Sequence, residues 1–217
     1  RRAPLLATGS IERPTGVSGY LADYWSLMRR APFAFSVIGG GFLRSGFYAF
    51  IVSVPFVLTN LYDTSVVGVG VIMMTMTLAF LAANFVVVRI AHRIRPESLV
   101  VFGTAISMLS PITLALLTLS DAGPVVAVSL PVALYGFGNG FAIPMANALA
   151  VGTDPRMAGA GSSLLGFWAY TMGAAGTVAA GLLTHDTALP LSTLLGIATT
   201  GAIVCFTVAR ITAPRAA

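Results

Sequence analysis

Charged side chains are scarce in this sequence. They make up 9% of its 217 residues, whereas hydrophobic residues make up 57%. A soluble domain carries about 25% charged residues, so this chain has too little polar surface to dissolve in water. Its mean hydropathy of +0.91 supports the same conclusion. The composition therefore predicts an integral membrane protein.

Side chains that catalyse reactions or bind cofactors are also missing from the apolar stretches. The single cysteine, Cys205, excludes an internal disulfide and a metal site built from several cysteines. The two histidines, His92 and His185, lie between apolar stretches, and no acidic residue lies deep within one. These absences argue against intramembrane serine and aspartyl proteases, haem sites and metal sites. We expect a protein that is not an enzyme and uses no cofactor.

Six stretches are long enough to cross a bilayer, since a spanning helix needs about 20 mostly apolar residues. They are continuously apolar instead of alternating, which predicts α-helices and not membrane β-strands. The predicted fold is an all-α membrane protein with a connector over 1–31, a six-helix bundle over 32–209 and a tail over 210–217. The predicted spans are Pro32–Asn60, Ser65–Val88, Ser98–Leu119, Pro124–Val151, Met157–Leu183 and Pro190–Ala209.

The distribution of arginine predicts the orientation of these spans. Eleven of the twelve arginines precede the first span or follow the second, fourth and sixth, and the other three loops carry only Asp63, Asp121 and Asp186. Cytoplasmic loops are enriched in arginine, so we expect both termini in the cytoplasm and the protein in the cytoplasmic (inner) membrane. The same distribution argues against a nucleic-acid partner, which would require basic residues on one face.

The twelfth arginine, Arg44, lies within the first span. It is twelve residues into that span, about 18 Å along a helix and past the middle of a roughly 30 Å hydrocarbon core. Facing lipid would cost about 2.5–3.5 kcal/mol, so we expect the guanidinium to face the bundle interior and bind an amphipathic or anionic substrate. The alternative is a structural role, in which Arg44 bonds to carbonyl groups or to an acid elsewhere. Its predicted neighbours on one helical face are Gly40, Phe47, Tyr48 and Ile51.

The fourth span contains Asn139 and Asn147, which we also assign to substrate binding. Glycines and prolines interrupt this span, and such interruptions at corresponding positions of a repeated membrane protein point to a substrate path. The first span is similar, since "GFLRSGF" (41–47) resembles "GFGNGF" (136–141). We therefore expect a three-plus-three repeat with the first and fourth spans equivalent. The alternative is that small residues here only allow helices to pack. The interrupting residues are Pro131, Gly136, Gly138, Gly140 and Pro144.

The segment "GYLADYWSLMRR" (19–30) has an amphipathic pattern. It places Leu21, Tyr24, Trp25 and Met28 on one helical face, which is typical of a helix lying at the membrane surface. A cytoplasmic helix packed on the bundle would show the same pattern, so both alternatives stay open.

Small residues in the fifth span form two ridges at a spacing of four. Such ridges let helix backbones approach closely, so we expect both to serve packing. The first ridge is Ala158, Ser162 and Gly166, and the second is Ala169, Gly173, Thr177 and Gly181.

In this region the sequence resembles a known family. The segment "MAGAGSSLLGFWAYTMGAAG" (157–176), preceded by "PMANALAVG" (144–152), is similar to the helix 10–11 region of the Bcr/CflA drug-resistance transporters of the major facilitator superfamily. The segment "SVPFVL" (53–58) is similar to the end of helix 7 in that family. The sequence departs from the family pattern at Arg44 and in the loop "RIAHRIRPE" (89–97), which lacks the usual glycine.

The resemblance implies the carboxy-terminal half of a twelve-helix drug:proton antiporter. Its partners would be an amino-terminal six-helix half, the lipid bilayer, protons and a small amphipathic substrate. The first, second, fourth and fifth spans would line a central cavity, and the third and sixth would face lipid. No acid lies within these spans, so the titrating group would lie in the other half. The alternative is a stand-alone six-helix protein that acts as a homodimer or a structural subunit.

Three charged residues form a predicted cytoplasmic gate. Arg89 and Arg93 lie at the end of the second span, and Asp154 lies in the next cytoplasmic loop. An ion pair between them would close the cytoplasmic face in one transport state. The alternative is that the arginines only set the topology, since an exposed pair contributes about 0–1 kcal/mol.

The predicted orientation can be tested by labelling. Single cysteines at Asp63, Asp121 and Asp186 should react with a membrane-impermeant thiol reagent in intact cells, because these positions lie in the predicted external loops. Cysteines at Arg93 and Arg156 should react only after the membrane is permeabilised. Preferential labelling at Arg93 or Arg156 in intact cells would reverse the orientation.

Overall fold

A computed structural model describes residues 24–120, 124–152, 157–183 and 188–213. The regular structure of these residues is entirely helical, as predicted, and the ends of the long helices lie within three residues of the predicted spans when the π-helical turn after α1 is counted with it. A π-helical turn, Val57–Leu61, continues the first helix. The long helices are α1 (Ala31–Phe56), α2 (Val66–Ile90), α3 (Pro96–Leu119), α4 (Pro124–Gly152), α5 (Ala158–Leu183) and α6 (Leu189–Thr212).

Local sequence signals explain several helix ends. A proline lies in the first turn of α1, α3 and α6, where its missing N–H has no intrahelical acceptor to lose. The hydroxyl of Ser65 caps α2 by accepting a hydrogen bond from the Gly68 N–H at 3.2 Å. Pro55 lies just before the π-helical turn, and its missing N–H removes one hydrogen bond of α1 there.

Five helices in the described part of the chain are long and apolar enough to cross a membrane: α1 with its π-helical turn, α2, α3, α4 and α6. Helix α5 has 26 residues, about 39 Å at 1.5 Å per residue, which is also sufficient length. It is less apolar because glycine, serine, threonine and tyrosine are interspersed among its leucines and alanines.

The helix contacts follow an approximate two-fold pattern. Helix α1 packs mainly on α5 and α6, helix α4 packs mainly on α2 and α3, and α3 packs on α6. If α1 is exchanged with α4, α2 with α5 and α3 with α6, these main helix contacts map onto one another. This pattern is the three-plus-three arrangement that the sequence predicted, with α1 and α4 as equivalents at the centre.

Helix α4 is continuous, and three of its glycines lie in contacts with neighbouring helices. A Cβ placed on Gly136 would lie 2.5 Å from the Met76 carbonyl oxygen of α2, and one on Gly140 would lie 2.6 Å from the Phe80 carbonyl oxygen. A Cβ on Gly138 would lie 2.5 Å from the Gly103 carbonyl oxygen of α3. The backbone of α4 therefore touches both α2 and α3 directly, and no side chain larger than that of glycine fits at these three positions.

The packed face of α5 differs from the predicted one. Of the second ridge, Ala169 and Gly173 are buried, and Tyr48 of α1 lies against Gly173. The predicted packing is wrong for Ser162 and Gly166 of the first ridge, because Ser162 is exposed and none of the described residues has an atom within 4 Å of a Cβ at Gly166. Small residues cover several sides of α5, so their spacing did not single out the buried side. That side carries Gly161, Leu165, Ala169, Gly173, Gly176 and Ala180.

The described part of the amphipathic segment packs on the bundle. Residues 24–28 are helical, and Leu27 is buried in a cluster with Phe33 and Val37. The Tyr24 hydroxyl lies 3.0 Å from the Ser163 hydroxyl of α5. Trp25 is 64% exposed, so only part of the predicted apolar face is free to meet a membrane surface. These contacts favour the packed alternative, while Leu21 lies outside the described residues.

Two glycines of α5 provide a matched test of this packing. Gly176→Ala should lower stability by about 1–3 kcal/mol, because the added methyl group would overlap the Ser45 backbone of α1. Gly181→Ala should have no such effect, since no atom lies within 4 Å of its Cβ position. Thermal unfolding in detergent measures both, and equal melting temperatures would contradict the α1–α5 contact.

Candidate functional site

Two recesses flank α1 on the side of the bundle formed by α1, α2, α4 and α5. We call the first the Arg44 recess; it has a volume of about 310 Å³ and lies between α1, α4 and α5. We call the second the methionine recess; it has a volume of about 470 Å³ and lies between α1 and α2. Neither recess is lined by α3 or α6, which matches the division of helices that the resemblance implied.

The Arg44 recess surrounds the arginine in the first helix. Arg44 is half-buried and lies close to the midpoint of the 31-residue segment Ala31–Leu61. No hydrogen bond or ion pair joins its guanidinium to another of the described residues. The guanidinium stays protonated, so a permanent positive charge faces this recess. The polar and aromatic lining comprises Arg44, Tyr48, Asn147, Ser162 and Tyr170.

The methionine recess contains the other two residues predicted on α1, Phe47 and Ile51. The sequence placed both on one face with Arg44 and Tyr48, and the structure separates them. Positions three and four residues along a helix diverge by about 60° and 40° to opposite sides of the first residue. Phe47 therefore turns toward α2, whereas Tyr48 turns toward α5. The remaining lining is Gly70, Met73, Met74, Met76, Thr77 and Phe80.

The two recesses are adjacent. The rings of Phe47 and Tyr48 contact each other edge to face, with centroids 5.8 Å apart and planes at 76°. One ring lines each recess. The contact between these two rings therefore lies where the recesses meet.

The two asparagines predicted in the substrate path have different environments. Asn147 is exposed and lines the Arg44 recess. Asn139 is fully buried, and its Nδ2 donates hydrogen bonds to the Tyr135 carbonyl oxygen at 2.9 Å and the Ser107 hydroxyl of α3 at 3.3 Å. The structure therefore places Asn139 in the α3–α4 contact and outside both recesses.

The predicted gate is only partly described. Arg89 is exposed, donates a hydrogen bond to the Phe85 carbonyl oxygen at 3.2 Å and lies over the Phe85 ring. Arg93 is also exposed, and its Nε donates to Nε2 of His92 at 3.1 Å. Asp154 lies outside the described residues, so the ion pair stays a prediction.

The resemblance placed α2 and α5 beside the cavity, but sequence reasoning named no site residue on either helix. Three methionines within four positions, Met73, Met74 and Met76, supply one side of the methionine recess. The run "VIMMTM" (71–76) was a usable signal, because methionine is over-represented at binding surfaces of variable shape. Tyr170 of α5 carried no such signal among the other aromatic residues. Among the described residues no cluster of three potential metal ligands occurs.

Comparison with known proteins identifies the family. The sequence profile of the Major Facilitator Superfamily matches residues 2–177. The chain is also similar to an uncharacterized MFS-type transporter of Bacillus subtilis (strain 168), YdgK, with 22% identity over 182 residues. That alignment covers 84% of this chain and 45% of the relative, so the chain spans about half the length of the curated relative it matches.

The different environments of the two asparagines predict different effects on stability. Asn139→Ala should lower stability by about 1 kcal/mol, because it removes a hydrogen bond between helices α3 and α4. Asn147→Ala should leave the melting temperature unchanged, since its side chain is exposed. Thermal unfolding in detergent compares the two variants. A larger loss for Asn147→Ala would contradict the assignment of Asn139 to packing.

Proposed function

This chain belongs to the Major Facilitator Superfamily, and on that premise we propose that it forms the carboxy-terminal half of an exporter of amphipathic drugs or metabolites. Members of this family are multi-pass membrane transporters and not enzymes. The proposal extends this to secondary active transport across the cytoplasmic membrane, in a protein of the Bcr/CflA type. The observation that carries it is the pair of recesses around α1.

The position of the recesses supports transport by alternating access. Substrate sites of such transporters lie near the middle of the bilayer, at the contact between repeats or halves. Arg44 lies near the middle of its helix, and the Arg44 recess opens beside α1, α4 and α5. The amino-terminal half would cover this side, and rocking of the two halves would expose the site to each face of the membrane in turn.

The chemistry of the recesses supports an amphipathic substrate. Aromatic and methionine side chains offer apolar contact area, while Arg44 and Asn147 offer polar groups. Ligand cavities of about 300–1,000 Å³ usually combine apolar walls with a few polar groups. Both recesses fall within that range of volume.

Proton coupling would require an ionisable residue from the amino-terminal half. A coupled transporter needs an ionisable residue within the membrane, and the described helices carry a single carboxylate, Glu97, in the first turn of α3. We therefore place the titrating acid in the amino-terminal half. On this proposal the present chain supplies substrate contacts and does not transport alone.

Transport can be measured in inverted vesicles from cells that express the natural protein carrying this chain. A panel of amphipathic dyes of different charge should accumulate when respiration acidifies the vesicle interior, and an uncoupler should release them. Vesicles that contain only residues 1–217 should show the background level of vesicles without the protein.

Three outcomes would contradict parts of the proposal. If every dye moved in the presence of the uncoupler as it does without it, the proposed coupling to protons would be rejected. Transport by residues 1–217 alone, at the mass of a dimer in native mass spectrometry, would instead support a self-sufficient homodimer. Absence of any dye movement by a folded, abundant natural protein would reject export of amphipathic compounds.

A further inference from the structure

The charge of the Arg44 recess is unbalanced in the described structure. Arg44 is the one cationic residue lining it, and its lining contains no acidic residue. Among the described residues, the acids nearest to it along the chain are Asp63, beyond the end of the π-helical turn, and Glu97, at the start of α3. Glu97 lies 3.5 Å from Arg95. The Arg44 guanidinium therefore lacks a counter-charge that the described residues could supply.

A guanidinium in this setting selects for anions. Its planar N–H groups match the geometry of carboxylate, sulfonate and phosphate groups, which they bind through paired hydrogen bonds. Taking a charge away from water is costly unless it is paired, and a ligand anion would provide that pairing. Tyr48 and Asn147, which line the same recess, add further hydrogen-bond donors.

The methionine recess offers a complementary apolar surface. Its lining carries no charged residue, and Met73, Met74 and Phe80 face the same space as Phe47. Methionine side chains are flexible and polarisable, so they adapt to apolar groups of different shape. Because Phe47 contacts Tyr48, an apolar group in this recess lies next to a polar group bound in the other.

We propose that the two recesses form one bipartite site for amphipathic organic anions. The anionic group binds Arg44 in the Arg44 recess, and the aromatic or aliphatic body lies in the methionine recess. This inference rests on the proposed export of amphipathic compounds and specifies the charge of the preferred substrate and the orientation in which it binds.

A matched pair of fluorescent ligands tests the charge preference. Dansyl sulfonate and dansylamide have the same aromatic body, but only the sulfonate is charged at neutral pH. The natural protein carrying this chain, in nanodiscs of phosphatidylcholine, should bind the sulfonate about tenfold or more tightly than the amide, the range of a charged hydrogen bond. Equal or weaker binding of the sulfonate would overturn the inference without any variant.

Single substitutions show how each recess contributes to the binding of the two dansyl ligands. Arg44→Gln should abolish the preference for sulfonate and leave dansylamide binding nearly unchanged, and Arg44→Lys should retain part of it. Met74 lines the methionine recess and is 56% exposed. Met74→Ser should lower the affinity for both ligands by a similar factor. Arg210→Gln is the matched control, since it removes an arginine that lines neither recess.

The remaining outcomes separate this inference from the proposed function. A sulfonate preference that survives Arg44→Gln would overturn the bipartite site. Loss of membrane accumulation by both Arg44 variants would also overturn it, because Arg44 would then be a structural residue. Since binding is measured without transport, a protein that binds as expected but exports nothing would reject the proposed function alone. A protein that exports the dyes but binds both ligands equally would reject the inference alone.

Discussion

Direct contact between helix backbones governs how the helices of this bundle can be arranged. Lipid chains are as apolar as leucine, so membrane helices associate through close packing and hydrogen bonds and gain little from the hydrophobic effect. Here Gly136 and Gly140 of α4 meet carbonyl groups of α2, and Gly176 of α5 meets the backbone of Ser45 in α1. A methyl group at any of these positions would force two helices apart.

These contacts also determine where the recesses form. Helix α1 packs mainly on α5 and α6, and helix α4 packs mainly on α2 and α3. The surface left between α2 and α5 then holds both recesses, with Arg44 and Asn147 exposed to the same space. Arg44 lies near the middle of its helix, and its side chain lines the recess between α1, α4 and α5.

Some of the site was predictable and some was not. A charge in an apolar span must avoid lipid, so the inward position of Arg44 followed from the sequence. Asn139 and Asn147 have the same chemistry and lie eight residues apart on one helix, so composition could not distinguish them. The two asparagines differ in their surroundings: Asn139 donates a hydrogen bond to Ser107 of α3, whereas Asn147 lines the Arg44 recess. Likewise, α5 has small residues on several sides, and only packing against α1 selects one.

The amino-acid sequence alone was enough to predict a membrane protein of long helices and the approximate ends of each helix. Those properties are local, because a helix satisfies its own backbone hydrogen bonds and the bilayer thickness sets its length. The tertiary structure decided which face of each helix is buried, that Phe47 and Tyr48 line different recesses, and that methionines of α2 join the site. Those properties depend on close contacts between residues far apart in the chain, and hydropathy carries no information about which pairs will meet.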